Sequence, residues 1–308
     1  MILITGASSF IGRYIVADLT KHFPGEDILG TYHQRPPAPF FHPKLLKKIR
    51  FVKLDLEKRN AFKHLPNSCR FLVHTAAFVP ANAEEDEQKK ESIYRVNFLG
   101  AIQLAEWCRK NKYLKQLVIS STASMYASSQ SKITEQTSLC PRSHYAVSKY
   151  AADQHLQNGS KTSRIPLTIL RYSSVYGIGQ SAHTVLPLFF QRIKRHEPVQ
   201  LFSAGKRCQD FVYVKDVALA TRLALQRSRT GIFNIASGEK TTMKHLAVQL
   251  KALCKSRSRL VQSSLADQGE SREFEIRAAK QQLGFHPEYS LKAGIQDCFA
   301  VEKAGVIE

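Results

Sequence analysis

The fold of this chain is decided by the stretch Ile2-Leu3-Ile4-Thr5-Gly6-Ala7-Ser8-Ser9-Phe10-Ile11-Gly12. The short apolar run at its start is typical of a buried parallel strand, and a helical pattern follows the turn as far as Leu19. In such a unit the first glycine makes a tight turn, and the last lets the helix pack close to the strand. The helix N-terminus offers free N–H groups and a partial positive charge to a pyrophosphate. The stretch predicts a dinucleotide-binding unit, with an ordinary strand–turn–helix as the alternative.

A second motif is the pentapeptide Tyr145-Ala146-Val147-Ser148-Lys149. On a helix, a spacing of four residues puts Tyr145 and Lys149 on the same face. A nearby ammonium favours the phenolate and lowers the pKa of a tyrosine. Moving that pKa from 10 to about 7 takes roughly 4 kcal/mol, which one buried cation and a cofactor's positive ring together can supply. The alternative is a surface pair on an amphipathic helix.

With the Ser/Thr cluster Ser121 to Ser124, at the end of a later predicted strand, the two motifs resemble the extended short-chain dehydrogenase/reductase family, also called the NAD-dependent epimerase/dehydratase family. The matching motifs run from Ile2 to about Gly294. The resemblance implies an α/β fold: a Rossmann-type doubly wound parallel sheet with a small C-terminal substrate-binding lobe. We expect the dinucleotide-binding core in residues 1–182. We expect the lobe in residues 183–308, interleaved with the last core strand and helices.

The resemblance also implies a catalytic set of Thr122, Tyr145 and Lys149. Aligned on Tyr126, the family's catalytic Ser/Thr falls on Thr122, which would orient the substrate carbonyl. Tyr145 would be the general acid/base, and Lys149 would tune its pKa and hold the nicotinamide ribose. Family 4,6-dehydratases carry an Asp-Glu pair after the Ser/Thr. Here these positions are Ala123 and Ser124, which disfavours a dehydratase.

Cofactor binding is expected of residues in the turn, at the ends of the predicted strands and on the catalytic helix. They are Gly6, Ser9, Phe10, Ile11, Gly12, Arg35, Asp55, Leu56, Ala76, Ala77, Tyr145 and Lys149. Ser9 stands at the middle glycine of the family's T-G-x-x-G-x-x-G motif. Asp55 and Leu56 resemble the family's pair beside the adenine ring, although Asp55 as the cap of a following short helix is an equal alternative.

The second predicted strand, Ile28 to Thr31, is not followed by the acidic residue that binds the ribose 2′-hydroxyl of NAD in many dinucleotide-binding folds. Arg35, with His33 as a possible helper, is placed to meet a 2′-phosphate instead. We therefore expect NADP, with NAD as the alternative; Arg35 as a solvated loop residue is the competing interpretation.

The expected substrate-binding residues are Ser174, Arg207 and Gln209. The family's epimerases have an asparagine where this chain has Ser174, and its segment is closer to that of sugar 4-ketoreductases. The family arginine that grips the substrate diphosphate is replaced by Gln209, with Arg207 two residues earlier. These replacements put a nucleotide diphosphate in doubt, unless Arg207, Arg192 or Lys206 substitutes.

The expected function is NAD(P)-dependent oxidoreduction of a keto or hydroxyl group on a sugar or nucleotide sugar, with a ketoreductase favoured. The alternatives are a nucleotide-sugar 4-epimerase with tightly bound NAD and a non-catalytic NADP-binding regulatory subunit. The complete set of Thr122, Tyr145 and Lys149 argues against the regulatory subunit.

Composition limits the partners. The 308 residues carry a formal charge of +20, without the motif of a nucleic-acid-binding fold. No run of eighteen apolar residues predicts a membrane span, and no signal peptide is evident, so a cytoplasmic location is expected. The six cysteines and eleven histidines show no metal-binding spacing, so we expect reduced thiols and no metal. A homodimer is possible.

The charged run Glu84 to Lys90 is expected to face solvent, and Asp216 is expected to cap a helix.

Overall fold

The computed structural model describes residues 1–129, 131–265, 267 and 269–305. The large sheet uses the strands β1 (Ile2–Thr5), β2 (Ile28–Tyr32), β3 (Ile49–Lys53), β4 (Phe71–His74), β5 (Gln116–Thr122), β6 (Leu167–Tyr172) and β10 (Gly231–Ile235). Its order is β10-β6-β5-β4-β1-β2-β3, and every neighbouring pair is parallel. The chain crosses over between β3 and β4, so that the strand order reverses beside β1. The predicted doubly wound parallel sheet is confirmed.

Five smaller strands form two further sheets. They are β7 (Ser174–Tyr176), β8 (Val199–Leu201), β9 (Cys208–Tyr213), β11 (Lys240–Thr242) and β12 (Leu260–Gln262). One sheet has the order β11-β9-β7, and the other pairs β12 with β8. Strand β7 follows the carboxyl end of β6 after one residue, and the carboxyl ends of strands are where ligands bind to open α/β sheets.

The helices are α1 (Phe10–His22), α2 (Pro43–Leu46), α3 (Ala83–Gln88), α4 (Lys90–Tyr94), α5 (Gly100–Lys110), α6 (His144–Ser163), α7 (Val185–Lys194), α8 (Val214–Arg227), α9 (Met243–Leu253) and α10 (Leu291–Ala304). A π-helical turn, Arg95–Leu99, joins α4 to α5. Short 3₁₀ segments and a second π-helical turn, Ala279–Leu283, complete the chain.

The core has two layers because successive strand residues point to opposite faces of the sheet. Ile2 and Ile4 pack with α1 and α8, whereas Leu3 packs with α5 and α6. Each face is therefore covered by helices, which is why the strands read as continuous apolar runs.

Strand β6 runs as far as Tyr172 because Arg171 and Tyr172 continue the ladders with β5 and β10. The capping role predicted for Asp216 is wrong. Asp216 does not cap α8, whose N-cap is Tyr213. Its buried carboxylate instead accepts the backbone N–H groups of Glu288 and Tyr289.

The division into a core and a lobe at residue 182 stays a prediction, and residues 306–308 of that lobe lie outside the described residues. In the part of the chain that is described, none of the helices combines the length and the apolar character that a membrane crossing needs.

Candidate active site

The glycine turn brings β1, α1 and the segment after β4 into close contact. Gly6 has φ +70°, and a Cβ there would lie 2.7 Å from the backbone nitrogen of Ala76. A Cβ on Gly12 would lie 2.1 Å from the carbonyl oxygen of Gly6. Ser9, at the position of the middle glycine, is the N-cap of α1, and its Oγ accepts the N–H of Gly12 at 3.1 Å. The replacement of this glycine by serine therefore stabilises the helix start.

This turn fits a dinucleotide. The N–H groups of Phe10 and Ile11 belong to the first turn of α1, where no preceding helical carbonyl accepts them. Thr75, Ala76 and Ala77 follow β4, so the backbone beside Gly6 carries only small side chains. Unpaired N–H donors, the positive end of the helix dipole and small neighbouring side chains together suit a pyrophosphate.

Arg13, which the sequence analysis passed over, lies beside the turn. It is 9% exposed, and its guanidinium carbon is 4.4 Å from the centre of the Phe40 ring. Among the described residues no acceptor lies within hydrogen-bonding distance of its Nε. Burial and the charge of Arg35 both lower the pKa of Arg13. A buried cation without a counter-charge, next to a second cation, is suited to an anionic ligand.

The remaining predicted cofactor residues are arranged around β3. Asp55 Oδ1 accepts the N–H of Glu57 at 3.0 Å, and Oδ2 lies 3.7 Å from His33 Nε2. The Asp55 carboxylate therefore caps a turn. Leu56 is buried in the core against Gly100. Contact of this pair with an adenine ring stays a prediction, as does the role of the exposed Arg35.

The candidate catalytic residues are carried by β5 and α6. Ser143 caps α6 by accepting the N–H of Ala146, and Asp86 accepts the N–H groups of His144 and Tyr145 at 2.8 and 2.9 Å. Asp86 is 7% exposed, so the expectation that its charged run faces solvent is wrong at this residue. Two carboxylate bonds at the first turn of α6 hold the backbone of Tyr145 in place.

Asn97 supports α6 from the side. It accepts the N–H of Phe78, donates to the carbonyl of Phe78 and donates to Ser148 Oγ at 3.0 Å. Ser148 in turn donates to the carbonyl of Tyr145 at 2.8 Å. The buried amide thus joins the catalytic helix to the segment that follows β4.

Tyr145 is protonated in the surroundings that the protein provides. Burial raises the pKa of Tyr145 to about 12, and a hydrogen bond with the Thr122 side chain partly offsets this rise. Thr122 Oγ1 also donates to Ser124 Oγ at 2.9 Å. The expected lowering of the Tyr145 pKa towards 7 is not produced by the protein's own groups, because the Lys149 charge acts mainly on other neighbours.

Those neighbours form a buried charge cluster. Burial lowers the pKa of Lys149, and the carboxylate of Asp153, one turn further along α6, opposes that change. Asp153 accepts a hydrogen bond from Ser121 at 2.8 Å and lies 3.6 Å from Arg171 Nε. Burial raises the pKa of Asp153, and both cations counteract the rise.

His74 is neutral at the edge of this cluster. Burial and the charge of Lys149 lower the pKa of His74 to about 3. Its Nδ1 is 2.8 Å from Thr5 Oγ1, so it joins β4 to β1 below the glycine turn. The cluster therefore contains the side chains of Lys149, Arg171 and Asp153 beside a neutral imidazole.

The predicted substrate residues meet between the small sheet and α7. Ser174 Oγ donates to Gln209 Oε1 at 3.4 Å, and Arg207 lies beside them. All three line a cavity of about 530 Å³ whose other walls are mostly apolar, here called the apolar cavity. A second, more open cavity of about 310 Å³ is here called the arginine cavity. It is lined by Ser124, Cys140, Arg142, Arg207, Gln209, Glu270 and Arg272.

The two cavities form one groove because Arg207 and Gln209 line both of them. The arginine cavity reaches the candidate catalytic site at Ser124, the hydrogen-bond partner of Thr122. Of the substitutes considered for the missing arginine, Arg207 lines the groove; Arg192 instead donates to the carbonyl of Pro198.

Several residues of this site were missed from the sequence: Arg13, Asp86, Asp153, Arg171, Asp267 and Arg272. Asp153 was recognisable, since it follows Lys149 by four residues on a predicted helix. The others had no local signal, because tertiary contacts alone bring them to the site. Among the described residues, His, Cys, Asp and Glu side chains nowhere gather in threes that would hold a metal ion.

Comparisons with known proteins agree with this geometry. Residues 2–236 match the model of the NAD dependent epimerase/dehydratase family. The chain is 28% identical to a protein of Methanocaldococcus jannaschii named "Putative UDP-glucose 4-epimerase", over 96% of each chain. It is 23% identical to dTDP-4-dehydro-6-deoxyglucose reductase of Escherichia coli, over 96% of this chain and 95% of that one. The solved UDP-glucose 4-epimerase of Thermotoga maritima, with UDP-glucose, has a TM-score of 0.85 at 25% identity and 98% coverage of both chains.

Proposed function

This chain belongs to the NAD-dependent epimerase/dehydratase family, and we propose that it is a ketoreductase acting on a sugar-like substrate. Members of this family are NAD-dependent enzymes of the extended short-chain dehydrogenase/reductase class, and its relatives include both epimerases and reductases. The protein is accordingly an enzyme of nicotinamide-dependent hydride transfer. The direction of transfer and the substrate are our proposal.

The observation that carries the proposal is the protonated Tyr145 beside Thr122. When bound, the nicotinamide supplies the hydride. As the carbonyl carbon accepts the hydride, negative charge develops on its oxygen, and the hydroxyl groups of Thr122 and Tyr145 stabilise it by hydrogen bonding. Tyr145 then gives its proton to that oxygen. A phenol that stays protonated suits this role as a general acid.

Lys149 completes the proposed site. Once Tyr145 has lost its proton, the buried Lys149 cation stabilises the phenolate until solvent restores the proton. Burial lowers the pKa of Lys149, and the charge of Asp153 opposes this change and favours the ammonium. The cluster therefore places Lys149 one helical turn from Tyr145, whose phenol makes a hydrogen bond with the Thr122 side chain.

We propose NADP as the preferred cofactor. The second strand ends in Tyr32, and the loop after it carries Arg35. Arg13 lies buried, and its Nε has no hydrogen-bond acceptor among the residues that the structure describes. A 2′-phosphate adds negative charge at this end of the cofactor, where guanidinium groups bind it well. NAD is the alternative, favoured by the family to which the chain belongs.

The test is the substitution Tyr145→Phe. Loss of the phenolic proton should reduce hydride transfer at least about 100-fold, because positioned general acids contribute 10² to 10⁴. Binding of the reduced cofactor, followed by its fluorescence, should stay within a factor of two to three. Tyr150→Phe, on the same helix, is the matched control and should keep full activity. An active Tyr145→Phe protein would contradict the proposed role.

A nucleotide-sugar 4-epimerase is the second candidate, favoured by the similarity to proteins named UDP-glucose 4-epimerase. An epimerase returns its hydride to the same substrate and can keep its cofactor, whereas a reductase exchanges cofactor in every cycle. Denaturing the purified protein and identifying the released nucleotide separates the two. Near-stoichiometric NAD would favour the epimerase.

A further inference from the structure

The Arg207 guanidinium, at the junction of the apolar and arginine cavities, is already paired. Its Nε donates to Asp267 Oδ2 at 2.9 Å, and the side chains of Arg207 and Asp267 are 22% and 11% exposed. Asp267 is itself held by backbone contacts: its N–H donates to Ser203 Oγ, and its Oδ1 accepts the N–H of Gly269. The carboxylate is therefore fixed in the wall of the groove.

The charges of the groove nearly cancel. In the apolar cavity, the permanently charged lining residues that the structure describes are Arg207 and Asp267. In the arginine cavity, Glu270 accepts from Arg142 at 2.7 Å and from Arg272 at 3.1 Å. The two cavities together therefore contain three guanidinium groups and two carboxylates. The net charge of these five lining groups is +1.

A nucleoside diphosphate linked to a sugar carries two negative charges and needs cations that are free to meet it. Asp267 accepts from the Nε–H of Arg207 only, so a diphosphate that reached the Nη groups of Arg207 would lie beside a largely buried carboxylate. Repulsion between this carboxylate and the dianion opposes binding. Repulsion of this kind is a common way to reject a wrong ligand.

The walls of the apolar cavity favour a different occupant. They include Val175, Leu186, Phe189, Leu201, Phe211 and Met243. Leu188 and Phe202, which also line the cavity, are 42% and 38% exposed at its rim. Uncharged polar side chains of the lining include Gln180, Thr184 and Gln200, together with Ser174 and Gln209 at the junction.

We infer that Asp267 is a specificity-determining residue that excludes nucleoside diphosphates, so that the substrate places an uncharged, largely apolar group in the apolar cavity. This inference rests on the proposed function for the location of the substrate. Its chemistry concerns binding alone, so it is tested without turnover. The reacting keto or hydroxyl carbon lies at the other end of the groove, beside Ser124.

The experiment compares UDP binding to the wild type and to Asp267→Asn by titration calorimetry at low salt. Asparagine keeps the size of the side chain and removes its charge, so Arg207 becomes available to phosphate. We expect UDP to bind Asp267→Asn at least about tenfold more tightly than the wild type. Uridine, which lacks the diphosphate, should show no difference between the two proteins.

Two further variants make the result specific. Glu106→Gln removes the same charge from the exposed surface of α5 and should leave UDP binding unchanged. Adding Arg207→Gln to Asp267→Asn should abolish the gain, because the freed guanidinium is then absent. Thermal melts establish that each variant is folded.

The inference is overturned if the wild type binds UDP with a dissociation constant below about 10 µM. It is also overturned if Asp267→Asn binds UDP no better than the wild type, including the case in which neither binds. A protein that fails to transfer hydride but shows the tenfold gain would refute the proposed function and leave the role of Asp267 intact. An active enzyme without the gain would refute only the role of Asp267.

Discussion

Tyr145 shows how burial sets the protonation state of a candidate catalytic residue before any ligand binds. A tyrosine and a lysine one helical turn apart are expected to lower the tyrosine pKa. In this protein desolvation is the larger influence on Tyr145, since it disfavours the phenolate, and the nearby Asp153 adds to the effect. Lys149 is itself engaged with Asp153. The spacing of the motif therefore identifies the pair of residues, whereas their surroundings decide which protonation state is stable.

The first residue-scale prediction concerns this protonation state. Because burial raises the pKa of Tyr145 to about 12, its phenol should remain protonated from pH 6 to about 10 in the free enzyme. The ultraviolet titration of the wild type minus that of Tyr145→Phe should show no phenolate signal below about pH 10. A difference signal between pH 6 and 8 would show that Lys149 controls the phenol.

The second residue-scale prediction concerns the two arginines beside the glycine turn. Arg35→Gln and Arg13→Gln should each weaken 2′,5′-ADP about tenfold or more, since a hydrogen bond to a charged group is worth 1.5–3 kcal/mol. Binding of 5′-ADP, which lacks the 2′-phosphate, should change less than threefold and is the internal control. Equal losses for both ligands would mean that the arginines act on the pyrophosphate or on folding.

At the scale of elements, hydrogen bonds hold α6 on both sides of the turn that carries Tyr145 and Lys149. Asp86 and Ser143 fix its N-terminus, Asn97 fixes Ser148, and Ser121 with Asp153 ties the next turn to β5. Such supports matter because a displacement of about 1 Å in a reacting group can cost 100-fold in rate. These contacts therefore restrict the movement of the part of α6 that carries Tyr145 and Lys149.

The element-scale prediction tests the buried cap. Asp86→Ala should lower the free energy of unfolding by about 1–3 kcal/mol, since buried N–H groups at the helix start lose their acceptor. It should also lower kcat with little change in cofactor binding. Urea unfolding and steady-state kinetics measure the two effects.

Glu84→Gln is the matched control for this experiment. Glu84 lies in the same charged run but is exposed, so the unfolding free energy should change by less than about 0.5 kcal/mol. If Asp86→Ala and Glu84→Gln lower the free energy of unfolding by the same amount, the contacts of Asp86 with α6 do not explain the loss of stability.

At the scale of the whole molecule, the groove lies where the C-terminal segments meet the large sheet. Arg272 donates to the carbonyl of Ala123 at 2.6 Å and lies 3.4 Å from the carbonyl of Tyr126. These carbonyls flank the turn that follows Thr122. The C-terminal part of the chain thus positions a candidate catalytic residue of the N-terminal part.

The whole-molecule prediction follows from this link. Arg272→Gln should reduce kcat about tenfold or more, because the turn after Thr122 loses its contact with Arg272. Cofactor affinity should stay unchanged, because the predicted cofactor residues lie around the glycine turn instead. Arg277→Gln is the matched control because Arg277 is exposed and contacts only Glu275 among the described ion pairs. An unaffected kcat in Arg272→Gln would remove Arg272 from the positioning residues.

The sequence by itself indicated the parallel strands, the glycine turn and the Tyr145–Lys149 pair, which depend on short spacings: apolar runs, one glycine-rich turn and a four-residue step on a helix. The resemblance to the family added the doubly wound sheet, Thr122 and the catalytic roles, and these roles stay predictions. Local patterns of this kind are dictated by backbone geometry and by burial, so they are readable without tertiary contacts.

Tertiary structure alone decided which charged and polar groups surround the candidate site. Asp86, Asp267 and Arg272 reach it from segments 59, 60 and 149 residues away from their partners Tyr145, Arg207 and Ala123. A pKa, or the availability of a guanidinium, depends on desolvation and on charges within a few ångströms, and these are set by which distant segments pack together. For that reason the sequence located Arg207, but only the fold revealed that Asp267 already holds it.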